Sequence, residues 1–158
     1  MRSCMNTITH ITITTHIIYS RRRMKQVAKL VIVDDQGMYL MMYRSDHPTF
    51  KDDPDLPGGT VEEGESSLAA LSREVTEETG IVLGDLPVKC VYSGVDYSAH
   101  HTHYSLFVAK ITPRPHITMS WEHASYEWLS RRDFLEKAKT AKDTYMHMVY
   151  EVLERREL

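Results

Sequence analysis

Glu74, Glu77 and Glu78 stand at i, i+3 and i+4 in a stretch whose two ends are both marked, by Ser66 or Ser67 in front and by Gly80 behind. Leu68, Leu71 and Val75 recur within it at helical spacing, so a helix is predicted from a serine cap to a glycine stop. On that helix the three carboxylates fall within an arc of about 100°. Like charges so placed weaken a helix by a few tenths of a kcal/mol per pair, and a hard dication reverses the sign. Oxygen donors with neither His nor Cys among them suit Mg²⁺ or Mn²⁺. Taken alone, the run also reads as an ordinary solvated acidic face.

The neighbouring residues sharpen the metal reading. Leu68, Leu71 and Val75 lie beside the carboxylate arc, which puts the acids at the lip of the core, in a cleft. Arg73 can pair with Glu65 or with a ligand carboxylate and hold it in one rotamer. Gly58 and Gly59 allow close backbone approach to metal or phosphate.

Charge and composition remove other classes. The first acid is Asp34, and six of the 19 basic residues precede it, so residues 34–158 carry 13 basic against 22 acidic side chains. A net −9 argues against a nucleic-acid groove and suits a collector of divalent cations. No apolar run approaches the roughly 18 residues of a membrane-spanning helix. Cys4 and Cys90 offer neither a metal pair nor a disulfide framework, so a reducing, cytoplasmic setting is the expectation.

The 158 residues divide into an unusual front and an ordinary body. Residues 1–23 contain a Thr/Ile-rich tract from Thr7 to Ile18 and then Arg21-Arg22-Arg23. They are read as an extension, extended in conformation, with targeting as the lesser alternative and Met24 as a candidate start. Residues 24–158 form one domain. Strands are expected at Val27–Val33 and Met38–Arg44, joined by the turn Asp34-Asp35-Gln36-Gly37, and at about 88–95, 103–111 and 124–129. The chain ends in a helix with Tyr145, Met148, Val149 and Val152 on one face. Mixed strands with helices on either side predict an α/β sandwich.

The complete pattern is Gly59, five residues, Glu65, seven residues, Arg73-Glu74, an aliphatic, any residue, Glu77-Glu78, any residue, Gly80 and an aliphatic. It resembles the Nudix hydrolase box at every fixed position, and Leu56-Pro57-Gly58 is similar to the family's lead-in. The resemblance implies a Nudix-type α/β/α sandwich with a mixed sheet, acting with Mg²⁺ on a nucleoside diphosphate linked to another group. It implies Glu74, Glu77, Glu78 and the Gly59 carbonyl as metal ligands, with Arg73 and Glu65 as orienters and Glu74 as one candidate proton acceptor.

A second segment, Glu122-His123 ahead of Tyr126-Glu127-Trp128-Leu129, resembles diadenosine tetraphosphate hydrolases and some nucleoside triphosphate pyrophosphatases of the same superfamily. It implies Glu122 as a further ligand or the base and His123 near the phosphates. Tyr97 stands 16 residues past Ile81, where dinucleoside polyphosphate hydrolases of the superfamily tend to carry a tyrosine. Arg44, at a strand end, is placed to reach a phosphate. In His100-His101-Thr102-His103 alternation lets only His101 and His103 share a face, and a polar strand entry is the plainer reading. The expected substrate is a dinucleoside polyphosphate or an (oxidised) nucleoside triphosphate. Another Nudix substrate such as a nucleotide sugar, or a non-catalytic nucleotide-sensing domain, is the alternative. The partner is a small nucleotide, with a homodimer left open.

Overall fold

The computed structural model describes residues 24–45, 47–96 and 101–156. The N-terminal extension, Tyr97 and His100 lie outside the described residues. The order is β1 Gln26–Asp34, β2 Tyr39–Arg44, β3 Pro54–Asp55, α1 Ser67–Thr79, β4 Val88–Asp96, β5 Thr102–Ile111, β6 His123–Leu129, α2 Arg131–Thr140 and α3 Thr144–Glu154.

The first hairpin forms because Asp34 closes its own turn. Its Oδ1 accepts the Gln36 and Met38 amides at 2.8 Å each, and Gly37 takes the left-handed φ of +74° that the turn needs. β1 then runs parallel to β5 along its whole length, and β5 is antiparallel to β4. β6 lines one edge of β2, so the other edge is shared: β1 pairs there only at Val33–Tyr39, and β3 at Met42 and Tyr43. β1 and β2 therefore part like the arms of a Y. The segment after β3 fills the fork, with Ala28 donating to the Gly59 carbonyl, Leu30 to Pro57 and Val61 to Gln26. This parting of the strands opens the cleft described below.

Alternation along β1 feeds two cores. Val31 and Val33 face α2 and α3, packing with Met41, Leu106, Phe134, Tyr145 and Val149. Leu30 and Ile32 face the opposite way, with Leu40, Met42, Leu71, Val75 and Phe107. The result is the α/β/α sandwich with a mixed, six-stranded sheet that the sequence predicts. Each fully buried aliphatic side chain contributes about 1.5–3 kcal/mol.

α1 begins and ends as expected. Ser66 caps it, its hydroxyl accepting the Ala69 amide at 3.1 Å, and Gly80 closes it at φ +74°. Its buried face is Ala70, Leu71, Val75, Glu78 and Thr79, and Leu68 is half exposed at 50%. The prediction for Leu68 is corrected: it belongs to the first turn, ahead of the first buried residue. The terminal helix is corrected in two ways. It buries Tyr145, Met146, Val149 and Leu153, while Met148 and Val152 only flank the core. A separate helix, α2, precedes it. α2 buries only Phe134 and Ala138, too few apolar positions for its period to show in the sequence.

Candidate active site

The fork between β1 and β2 leads into a cleft of about 1150 Å³, walled by α1 and the 58–60 segment on one side and by β5 and the start of α3 on the other. Its α1 wall carries Glu74 and Glu78, and Arg73 and Glu65 stand behind it. Arg73 donates from Nε and Nη2 to the two Glu65 oxygens at 3.2 and 3.1 Å, and from Nη1 to Glu74 Oε1 at 2.6 Å. Its Nη2 also reaches the Thr60 carbonyl at 3.2 Å. The hydrogen bonds from Arg73 hold the Glu65 carboxyl below its usual range, and those same carboxylates hold the Arg73 guanidinium proton more tightly. A planar fork binding two carboxylates fixes both rotamers in a way a lysine could not.

Two glycines let the wall close. A methyl on Gly59 would lie 2.6–2.8 Å from the Glu74 carboxylate, and one on Gly58 would lie 2.2 Å from the Ala28 carbonyl oxygen. Gly58 also has φ +120°, and its amide donates to Glu78 Oε2 at 2.7 Å. Glu78 is buried, and that burial raises its pKa despite the nearby Lys29 and the Gly58 amide.

The floor is built from five separate elements around Asp55, which is 5% exposed. Lys29 of β1 donates to Asp55 Oδ1 at 2.9 Å and to the Leu56 carbonyl at 2.8 Å. Arg44 of β2 donates from Nε to Asp55 Oδ2 at 3.1 Å and pairs through Nη2 with Asp143 at 3.1 Å. The Tyr145 hydroxyl of α3 donates to Asp55 and accepts the Leu56 amide. His123, at the start of β6, brings Nε2 to 3.4 Å from Asp55 Oδ2, and its buried Nδ1 has no hydrogen-bond partner among the described residues. Burial alone would raise the Asp55 pKa, but Lys29, His123 and Arg44 drive it well below the usual carboxylate range. Burial and then the Asp55 charge push the Tyr145 phenol well up, and burial pushes Tyr104, stacked on the Tyr145 ring, up to about 12.

The NUDIX domain family model matches residues 23–149. The chain belongs to the Nudix family. A Bacillus subtilis (strain 168) protein named "Putative 8-oxo-dGTP diphosphatase" is 30% identical over 105 residues, a match that spans 66% of this chain and 66% of that protein. Among solved structures, the MutT protein from Methanosarcina mazei Go1 is similar with a TM-score of 0.63 at 27% identity, covering 83% of this chain and 93% of that one. A C. elegans Ap4A hydrolase has a TM-score of 0.65 at 23% identity, covering 82% and 95%, which speaks for the fold. The expected enzyme class, a Nudix pyrophosphohydrolase, agrees with the family and with these relatives' names.

The Nudix-box residues are distributed unevenly. Gly58 of the lead-in and Gly59, Glu74 and Glu78 of the box line the cleft, whereas Glu65 and Arg73 stand behind the lining and Glu77 is exposed outside it. Among the described residues no group of three or more His, Cys, Asp or Glu stands close enough to hold an ion. The donors nonetheless fit a hard dication. Glu78 is a desolvated carboxylate with a single backbone donor, Glu74 lies where a Gly59 side chain would have to be, and every donor is oxygen. The Gly59 carbonyl accepts the Ala28 amide at 2.9 Å and keeps a second lone pair.

Glu122 is exposed and lines the cleft, on a loop bound to the end of β2 by the Ser45 amide donating to the Glu122 carbonyl at 2.9 Å. His123 and Arg44 line it too, but Arg44 is already shared between two carboxylates. Trp128 packs against the α1-side core. Lys29, Asp55, Tyr104 and Tyr145 were not expected at the site. The readable signal was Lys29, a charge within the otherwise apolar strand 27–33; Tyr145 carried no signal, because its ring fits the apolar helix face that hides its hydroxyl.

Proposed function

We propose that this Nudix protein hydrolyses a pyrophosphate bond in a nucleoside diphosphate linked to another moiety, with a dinucleoside polyphosphate or an (oxidised) nucleoside triphosphate as substrate and Mg²⁺ or Mn²⁺ as cofactor. The observation that carries this is the α1 wall, where Arg73 orders Glu74 and Glu65 beside the buried Glu78 on a cleft large enough for a nucleotide. When bound, the dication neutralises the polyphosphate and lowers the pKa of an attacking water. Glu74, Glu78 and the Gly59 carbonyl would hold it, joined by Glu77 and Glu122 from the exposed edge.

The chain's own residues do the rest. Arg73 keeps Glu74 from rotating away, and Gly58 keeps Glu78 pointed at the loop. Glu122, or else Glu74, takes the proton from the attacking water. Arg44, neutralised by Asp55 and Asp143, acts as a positioning residue for the floor in this reading rather than as the phosphate clamp expected from its strand-end place. Residues 24–158 constitute the Nudix domain, residues 1–23 an extension, and the protein works in the cytoplasm, with a homodimer as the open association state. Among the described residues no helix is long and apolar enough to cross a membrane.

The name of the 30% identical relative favours triphosphates over dinucleoside polyphosphates. The test uses purified full chain with Mg²⁺ or Mn²⁺ and a panel of nucleoside triphosphates, oxidised purine triphosphates, diadenosine polyphosphates and nucleotide sugars, with products read by mass. Hydrolysis of one class, abolished by EDTA, is expected. Undiminished turnover after rigorous chelation would sink the metal assignment, and binding without turnover across the panel would favour a nucleotide-sensing domain.

A further inference from the structure

Trp121 is the most exposed of the large hydrophobic side chains described, at 83%. Leaving the largest apolar ring in water is costly to a fold that could have buried or replaced it. Its backbone is nevertheless held fast. The Trp121 carbonyl accepts the Ser45 hydroxyl at 2.7 Å, and the next carbonyl accepts the Ser45 amide. The ring is therefore carried on an anchored loop without being packed.

Its position is selective. Met24, Leu68, Val82 and Tyr126 are also exposed, yet Trp121 alone of that set lines the cleft. Beyond Ser45 the same strand end leads to His47 and Phe50, which also line the cleft and pack on each other at 5.0 Å between ring centroids. Lys25 and Lys142 line the cleft as well and form no ion pair among the described residues. Cations without an ion pair among the described residues, together with the uncovered Trp121 ring at the same mouth, match a ligand that is anionic at one end and a flat π-system at the other. A protein-binding patch would instead need contiguous apolar surface of a few hundred Å².

We propose that Trp121 is a stacking platform for the nucleobase of a nucleoside phosphate; the His47 and Phe50 pair, half-buried and covered by the Arg44 guanidinium over the Phe50 ring, only shapes the same mouth. The proposal rests on the nucleotide-hydrolase reading and adds the residue that grips the base. Stacking alone does not choose among bases, because every base has a π-face.

The experiment uses the full chain, whose tryptophans are Trp121 and Trp128. Tryptophan emission is followed in EDTA while AMP or ribose 5-phosphate is titrated. AMP should quench saturably and ribose 5-phosphate should not, and the AMP response should disappear in Trp121→Leu. With Mg²⁺ and the best substrate of the panel, Trp121→Leu should raise KM about ten-fold or more, within the range measured for base–aromatic stacking, and leave kcat within about three-fold. Trp121→Phe should restore most of the KM. Turnover with unquenched emission and an unchanged KM in Trp121→Leu would overturn the stacking role and leave the hydrolase reading intact. Quenching by AMP in a protein that hydrolyses nothing in the panel would do the reverse. Self-association in sedimentation that Trp121→Leu abolishes, with no AMP response, would assign the ring to a second copy and also overturn the proposal.

Discussion

The two sides of the cleft are charged by opposite means. Its α1 wall draws its functional acids and their arginine from residues 65–78, so one helix and its lead-in set their spacing. Its floor gathers Lys29, Arg44, Asp55, His123 and Tyr145 from four strands and a helix, and Asp55 is the atom group they share. The wall carries excess negative charge that an added cation would relieve. The floor is already balanced, two cations against Asp55 and Asp143. Under the proposed function the surplus at the wall would serve chemistry and the balanced buried network shape, and substitutions should separate the two.

The largest effect is expected from Asp55→Asn, which leaves Lys29 and Arg44 buried beside a neutral amide and should cost about 3–5 kcal/mol in chemical denaturation. Adding Lys29→Met should recover part of that loss. If the double variant is no better than the single, the pair is not the source of the cost.

At the wall the order inverts, with activity lost and stability kept. Glu74→Gln should lower kcat by about 10²-fold or more with the unfolding midpoint little changed, since losing the partly exposed Arg73 pair offsets the relief of repulsion from Glu77 and Glu78. Glu77→Gln, on the exposed edge, should cost less unless the bound ion draws Glu77 in, which a comparable loss would reveal. A midpoint that collapses in Glu74→Gln would instead make the Arg73 fork structural.

The pH dependences of the two regions should have opposite signs. Asp55 is held below its ordinary value, so its contribution is complete above the unfolded pKa of about 3.9 and is lost as pH falls through the lower folded value. Glu78 is raised by burial, so without divalent ions its contribution is complete below about 4.3 and is lost as pH rises through the folded value. Denaturation from pH 2 to 7 in EDTA should therefore show Asp55→Asn with a flatter acid limb than wild type and Glu78→Gln with a gain over wild type near neutrality. Equal gains at all pH values would mean that the Glu78 charge is not what burial penalises.

The last contrast, between a buried and an exposed leucine, calibrates the α1 face and ends on the smallest effect. Leu71→Ala should cost about 2–5 kcal/mol, and Leu68→Ser should stay within about 0.5 kcal/mol. A large loss at Leu68 would return it to the core that its spacing suggested.

These contrasts mark how far the residues alone could be read. The α1 cap and stop, the hairpin turn at Asp34–Gly37, the alternation of β1 and the spacing of Arg73 with Glu65 and Glu74 all follow from interactions within a few residues or a single period. Local geometry repeats, so the chain declares it. The mixed sandwich followed from strands flanked by helices together with the box.

What tertiary structure decided is where distant polar groups meet. That Arg44 stands at a strand end is legible, but that it is shared between Asp55 and Asp143 is not. Tyr145 looked like an apolar helix residue until its hydroxyl was seen on Asp55, 90 positions away. Glu77 and Glu78 are adjacent and chemically identical, yet one is exposed and the other is buried against the Gly58 amide. The sequence determines the charges and their local spacing. Burial, which sets the pKa and the partner of each charge, depends on how the sheet splits, and that split is fixed by non-local pairing that no short pattern encodes.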